Sequence, residues 1–104
     1  YTGFEDHKDY EVMTRQATGF SGMISFELDS LETAMNLLSR VKMILFAESL
    51  GGVETLVTYP MTQTHESIPA DVREALGINE RFLRISIGIE NVKDIIADLE
   101  QALA

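Results

Sequence analysis

Cysteine is absent from the 104-residue chain. Its absence excludes disulfide bonds, thiolate metal sites and catalysis by a thiol nucleophile. Histidine is nearly absent, since only His7 and His65 occur. Two histidines are too few for a histidine-rich metal site.

Positive charge is also scarce: 8 lysines and arginines face 17 acidic residues, for a net charge of -9. This balance argues against nucleic acid and anionic membrane surfaces as partners. No apolar run approaches the ~18 residues of a membrane span, and no signal peptide is visible. We therefore expect a cytoplasmic protein. Because the chain begins with Tyr1, we expect a fragment of a longer protein, although a trimmed chain would look the same.

The apolar content of 45% and charged content of 24% are ordinary for a globular protein. The length predicts a single domain over residues 1–104. Apolar periodicity predicts helices over 7–17, 31–41, 69–76 and 91–103, and strands over 23–28, 43–47, 54–59 and 82–89. We expect Asp6 to cap the first helix, Asp29 to cap the second in a capping box with Glu32, and Gly77 to end the third. Helices interspersed with short strands predict an α+β fold in which helices form one layer on one face of a small mixed or antiparallel sheet.

The predicted strand 82–89 carries a candidate binding residue. Alternation predicts one wholly apolar face, made of Leu83, Ile85, Ile87 and Ile89. Arg84 lies on the opposite face, with Phe82, Ser86 and Gly88. Its guanidinium is always charged, so it must reach water, a carboxylate or a phosphate. It is either a surface arginine on a half-exposed sheet or a bidentate fork for a carboxylate ligand.

Two polar loops are further candidates. The segment 48–52 contains the pair Gly51-Gly52 and either directs backbone N–H groups at an anion or forms an ordinary turn. His65 is either an acid–base group or, as we favour, a structural histidine. The charged residues of the last helix have the pattern of a solvated face; they are Lys93, Asp94, Asp98 and Glu100. No nucleophile–base pair, phosphate loop or Schiff-base lysine setting is evident, so spacing alone indicates an anion-binding α+β domain.

Several segments, in order along the chain, carry a resemblance. They are Arg15–Phe26, Glu48–Leu56 with its Glu-Ser-Leu-Gly-Gly start, Thr64-His65, Gly77-Ile78, and Leu83–Glu90 with Leu-Arg-Ile-Ser-Ile-Gly-Ile-Glu. Together they resemble the C-terminal domain of the pyridoxal-phosphate-dependent enzymes of Cys/Met metabolism. That group contains cystathionine γ-synthase, cystathionine γ-lyase, cystathionine β-lyase and methionine γ-lyase.

The resemblance implies a C-terminal fragment of a fold type I enzyme. The parent is expected to be a homotetramer that binds pyridoxal phosphate through a larger domain, which carries the catalytic lysine. That domain is not part of this chain, so the fragment alone should be inactive. By the same resemblance, Arg84 binds the substrate α-carboxylate, Thr64 supports the carboxylate site, Ser49 belongs to the environment of substrate and lysine, and Glu48 lies at the active-site mouth.

The implied reaction is replacement or elimination on a homoserine ester, cystathionine or a related amino acid, in transsulfuration and methionine biosynthesis. The segment 58–65 departs from the pattern of many members by carrying Gln63, and is similar to cystathionine γ-synthase and to the acylhomoserine thiolyases. Glu48 suits γ-synthase and γ-lyase better than β-lyase. Two alternatives remain: a free-standing amino-acid-binding or regulatory module that uses Arg84, and a structural oligomerisation domain.

Overall fold

Four helices and four strands follow one another in the predicted order. The computed structural model describes all residues, 1–104. The elements are α1 (Tyr10–Gln16), β1 (Met23–Glu27), α2 (Leu31–Arg40), β2 (Leu45–Phe46), β3 (Leu56–Thr58), α3 (Ala70–Ala75), β4 (Phe82–Ser86) and α4 (Val92–Leu103). The predicted α+β class is confirmed. None of the four helices has the length and apolar character that crossing a membrane requires.

The four strands form one mixed sheet in the order β1-β4-β3-β2. β4 is an interior strand, antiparallel to both β1 and β3, while the two-residue β2 pairs in parallel with β3 at the edge. Ile85 is opposite Ile24 on one side and Val57 on the other. Arg84 is opposite Ser25 and Thr58 in the same way, so these three residues share the other face.

The core lies between one face of the sheet and the two longer helices, α2 and α4. Its buried residues are Ala34, Leu37, Ile44, Val57, Tyr59, Leu83, Ile85, Ile95 and Ala102. Each fully buried large apolar side chain contributes about 1.5–3 kcal/mol to folding. α1 and α3 contain no buried residue. As the alternation of apolar residues in β4 predicts, Leu83 and Ile85 belong to this core.

Several element boundaries differ from the predicted ones. α2 begins after Ser30, whose hydroxyl accepts a hydrogen bond from the Thr33 N–H at 3.1 Å. The predicted capping box from Asp29 is therefore wrong by one residue. α1 begins after Asp9 rather than Asp6, which shortens it to seven residues. Gly77 ends α3 with φ +77°, a conformation that costs glycine little, as its predicted role requires.

The predicted strands 82–89 and 43–47 are both too long. β4 ends at Ser86, and Ile89 is 82% exposed rather than part of the apolar face. The chain turns away there because the Ile89 N–H donates to the Val53 carbonyl at 2.8 Å, outside the sheet. Of the predicted strand 43–47, only Leu45 and Phe46 form β2, and Ile44 is buried before it. Phe46 is 48% exposed because β2 is an edge strand with a neighbour on one side only.

Asp98 corrects the interpretation of the last helix as a solvated charged face. It is only 6% exposed, and its carboxylate accepts hydrogen bonds from the N–H groups of Lys42, Met43 and Ile44. These three residues form the link between α2 and β2. Asp98 therefore ties the last helix to the segment that leads into the edge strand.

Candidate functional site

Arg84 lies near the centre of the sheet face that α2 and α4 leave uncovered. Its guanidinium leans toward β3, where Nη2 donates to the Thr58 hydroxyl at 3.3 Å. Thr58 is buried and donates in turn to the Ala47 carbonyl at 2.9 Å. This series of contacts fixes one end of the guanidinium and connects it to the residue that precedes Glu48. Sequence reasoning missed Thr58, although its register opposite Arg84 follows once the strands are paired.

The guanidinium of Arg84 has no charged partner within the chain. Its Nε is buried and has no hydrogen-bond partner. Arg84 forms no salt bridge, whereas Arg81 pairs with Glu27 at 3.1 Å. A buried, unpaired donor on a permanently charged group costs free energy until an acceptor reaches it. A planar carboxylate matches the geometry of the guanidinium and accepts two parallel hydrogen bonds.

The loop between β2 and β3 lies against the same face. The Gly51 N–H donates to the Ser86 hydroxyl at 2.9 Å, and Ser86 is two residues beyond Arg84 on β4. Gly51 has φ +73°, which an L side chain rarely adopts. Glu48 and Ser49 begin this loop and are exposed. The structure therefore places the predicted residues Glu48 and Ser49 on the Arg84 side of the sheet, without a hydrogen bond between them and the guanidinium.

A second set of contacts holds the end of this loop. The Glu90 carboxylate accepts from both the N–H and the hydroxyl of Thr55, each at 2.7 Å. The Thr55 hydroxyl also accepts from the Gly88 N–H at 2.9 Å. The N–H and then the hydroxyl of Thr55 hold the pKa of Glu90 below its usual value, so Glu90 is ionised at neutral pH. We call the contacts among Thr55, Gly88 and Glu90 the Glu90 clamp.

Gly88 is the residue that lets the two segments of the clamp approach. A Cβ at this position would collide with the Val53 carbonyl oxygen and would lie 2.6 Å from both the Glu54 carbonyl carbon and Glu90 Oε1. The strand alternation placed Gly88 on the Arg84 face and gave it no further role. A glycine at the end of a strand pattern is a known sign of close backbone approach, and this signal was available.

Thr64 lies in the irregular segment after β3. Its hydroxyl is 2.6 Å from the Nδ1 atom of His65, and no hydrogen bond joins it to Arg84. Gln63 accepts from the Tyr59 N–H at 2.8 Å, so this segment folds back on the end of β3. The pairing of the His65 ring with its neighbour fits the structural interpretation of this histidine.

The three lysines of this chain lie away from the Arg84 face. A Schiff-base lysine needs a sheltered setting that lowers its pKa. Lys8, Lys42 and Lys93 are all exposed, before α1, after α2 and in the first turn of α4. None of them bonds to the Arg84 face. The Arg84 face offers a guanidinium without a carboxylate partner in the chain, beside a glycine-containing loop.

Comparisons with known proteins agree over the whole chain. A family model described as "Cys/Met metabolism PLP-dependent enzyme" matches residues 1–104. The chain is 42% identical over 103 residues to a cystathionine β-lyase of Lactococcus lactis subsp. cremoris, and 41% identical over 104 residues to a cystathionine γ-lyase of Dictyostelium discoideum. Each alignment covers 99% of this chain and 27% of the relative, so the chain spans about a quarter of their length.

Solved structures give the same result. The crystal structure of cystathionine γ-synthase from Xanthomonas oryzae pv. oryzae in complex with cystathionine superposes with a TM-score of 0.94 at 38% identity. The superposition covers 99% of this chain and 27% of that one. A cystathionine γ-lyase from Lactobacillus plantarum complexed with L-serine gives a TM-score of 0.89 at 37% identity, again over 27% of its length.

Proposed function

The chain belongs to the family of pyridoxal-phosphate-dependent enzymes of Cys/Met metabolism, and from that premise we propose that it is the C-terminal domain that binds the substrate carboxylate. In this proposal the remainder of the enzyme holds the cofactor and supplies the catalytic lysine. The whole enzyme acts on a sulfur-containing amino acid or a homoserine ester by replacement or elimination. The observation that carries the proposal is Arg84, a half-buried guanidinium with an unpaired Nε and no carboxylate partner within the chain.

Arg84 is well placed for this task because the sheet limits its movement. β4 has a neighbour on each side, and the Thr58 hydroxyl orients Nη2. A substrate carboxylate held at this fork, with the amino group at the cofactor, would be fixed at two ends. Such fixation orients the bond to be broken and removes much of the entropic barrier to reaction. Thr58 is a positioning residue in this scheme.

The loop residues have supporting roles in the proposal. Ser49 contributes to the environment of the substrate, and Glu48 lies at the mouth of the site, where its charge bears on substrate choice. Both follow Ala47, whose carbonyl is bonded to Thr58. Thr64 supports the carboxylate site from the neighbouring segment.

We propose a cystathionine γ-synthase-like activity for the parent, in methionine biosynthesis and transsulfuration. The segment 58–65 with Gln63 and the acidic Glu48 support this subtype. We further propose that the parent is a cytoplasmic homotetramer. Both proposals rest on the resemblance to family members, which include a cystathionine β-lyase, a cystathionine γ-lyase and a methionine γ-lyase.

The test is steady-state kinetics on the full-length enzyme with Arg84→Ala, Arg84→Lys and the control Arg81→Ala. Loss of a charge-assisted bidentate pair costs about 2–5 kcal/mol, because the substrate carboxylate is left unpaired. We expect kcat/KM for Arg84→Ala to fall roughly 30-fold to several thousand-fold. Arg84→Lys keeps the charge, loses the fork and should still be impaired. The visible absorption of the bound cofactor should not change, since the rest of the enzyme holds it.

Arg81 is the matched control because it lies on the same segment and pairs with Glu27 at the surface. An exposed pair of this kind contributes about 0–1 kcal/mol to stability and nothing to a carboxylate site. Equal losses for Arg81→Ala and Arg84→Ala, or near-normal kcat/KM for Arg84→Ala, would contradict the assignment of Arg84.

A further inference from the structure

The loop that carries Glu48 and Ser49 has no regular secondary structure of its own between β2 and β3. Ala47 holds its start through bonds to Val57 and Thr58 of β3, and the rest of the loop is held by hydrogen bonds to the segment that ends β4. Gly51 is bonded to Ser86 near the middle of the loop, and the Glu90 clamp holds its far end at Thr55. The position of the loop over the Arg84 face therefore depends on a few named contacts.

The Glu90 clamp is the stronger of these attachments. Thr55 is completely buried, and its N–H and hydroxyl both donate to one ionised carboxylate. Hydrogen bonds to a charged acceptor are shorter and about twice as strong as neutral ones. The clamp is next to the N–H of Ile89, which donates to Val53 at 2.8 Å and extends the attachment by one residue.

We propose that Glu90 and Thr55 are positioning residues for the amino-acid substrate, because their clamp holds the loop Glu48–Gly52 beside the guanidinium of Arg84. This inference rests on the proposed function of Arg84. Neither residue touches the substrate. With the clamp intact, Glu48 and Ser49 are held in one position beside Arg84. Without the clamp, the loop moves away from the sheet and the affinity for the substrate falls, while the groups that carry out the reaction keep their positions.

The experiment uses the full-length enzyme with Thr55→Val, Thr55→Ser and Glu90→Gln. Valine has the shape of threonine without the hydroxyl, so it removes the hydroxyl's bonds to Glu90 and to Gly88 and leaves the bond from the backbone N–H to Glu90. Serine keeps the hydroxyl and should rescue. Glutamine replaces one accepting oxygen with a donor that faces Thr55. Glu100→Gln is the control, an exposed acidic residue of α4.

Two measurements are made on each variant. Hydrogen–deuterium exchange should become faster in peptides covering residues 48–52 and stay unchanged in α2. KM for the amino-acid substrate should rise roughly 10- to 100-fold in Thr55→Val and Glu90→Gln, with kcat changed less than KM, because a displaced loop weakens positioning. Thr55→Ser and Glu100→Gln should resemble the parent enzyme in both measurements.

The outcomes separate this inference from the proposed function. Unchanged exchange in residues 48–52 would overturn the clamp as the attachment of the loop. Faster exchange with a normal KM would overturn its role in substrate positioning, and if Arg84→Ala still lost activity, the proposed function would remain supported. If kcat fell by as much as KM rose, or if Thr55→Ser did not keep the exchange and KM of the parent enzyme, the variants would have lost structure generally. Either result would also overturn the inference.

Discussion

Replacing Asp98 with alanine should destabilise the domain far more than replacing any exposed acidic residue of α4. Oδ2 of Asp98 accepts from the N–H groups of Met43 and Ile44, each at 2.8 Å. Lys42 N–H donates to both carboxylate oxygens, at 2.9 and 3.1 Å. One carboxylate therefore satisfies three backbone donors that no helix or strand partner satisfies.

The magnitude follows from where those donors are. Ile44 is 2% exposed, so its N–H would be left unpaired in the core, while Lys42 is exposed and Met43 partly so, which lets water replace the carboxylate. A hydrogen bond to a charged group contributes about 1.5–3 kcal/mol, and an unpaired buried donor costs about 1–3 kcal/mol. We expect a loss of about 2–4 kcal/mol, a large fraction of the about 5–15 kcal/mol typical of a domain.

The effect should also depend on pH. Burial raises the pKa of Asp98, but the N–H groups of Ile44, Lys42 and Met43 outweigh it and leave the pKa below its ordinary value of 3.8. The unfolded chain therefore binds a proton more readily than the folded one. The stabilisation is fully present above the unfolded pKa and is lost as pH falls through the folded pKa. Asp98→Asn should thus lie closest to the parent chain at the lowest pH.

Urea unfolding of the 104-residue chain, followed by circular dichroism at pH 7 and at steps down to pH 3, measures these free energies. Glu100→Ala is the control, because Glu100 lies two residues away on the same helix, is exposed and should change stability by less than about 0.5 kcal/mol. If Asp98→Ala matched Glu100→Ala, or if the Asp98→Asn difference stayed constant below pH 4, the role assigned to this carboxylate would be refuted.

Two further predictions follow from the structure. Gly88→Ala should lower the midpoint of urea unfolding and disturb the loop 48–52, because its Cβ would lie 2.6 Å from the Glu54 carbonyl carbon. An unchanged midpoint would contradict this, because it would show that the backbone accommodates the Cβ without a loss of stability. The 104-residue chain should fold alone to an α+β dichroism spectrum yet form no stable imine with pyridoxal phosphate, since its three lysines are exposed; a stoichiometric visible band that survives desalting would contradict this.

The sequence predicted those features that depend on local chemistry. Alternation located β4 and identified Leu83 and Ile85 as core residues, because burial on one face of a strand imposes a period of two. Gly77 was predicted to end α3, because a left-handed residue after a helix favours glycine. Arg84 was recognised as a candidate from its charge on an interior strand. The assignment of the chain to its family rested on sequence motifs rather than on physical reasoning.

The features that were missed join residues far apart in the chain. Asp98 is three residues after Ile95 and four before Ala102, on the buried side of α4, but the N–H groups that accommodate its charge there belong to residues 42–44, which lie 54 to 56 positions away. Glu90 and Thr55 are 35 positions apart. Ile89 continued the apolar alternation but lies beyond the last pair of the sheet. No local period contains such information, because it depends on which segments meet.

β4 connects the core to the candidate site because its two faces do different work. Leu83 and Ile85 hold the strand against α2 and α4, so the backbone between them cannot shift without disrupting the core. Arg84 projects from that fixed backbone to the opposite face, and its guanidinium takes its position from the strand rather than from a loop. The adjustable part of the site is the segment 48–52, attached through Ser86 and the Glu90 clamp. The strand that carries Arg84 is thus fixed by the core, whereas Glu48 and Ser49 lie on a loop, where a substitution disturbs the core least.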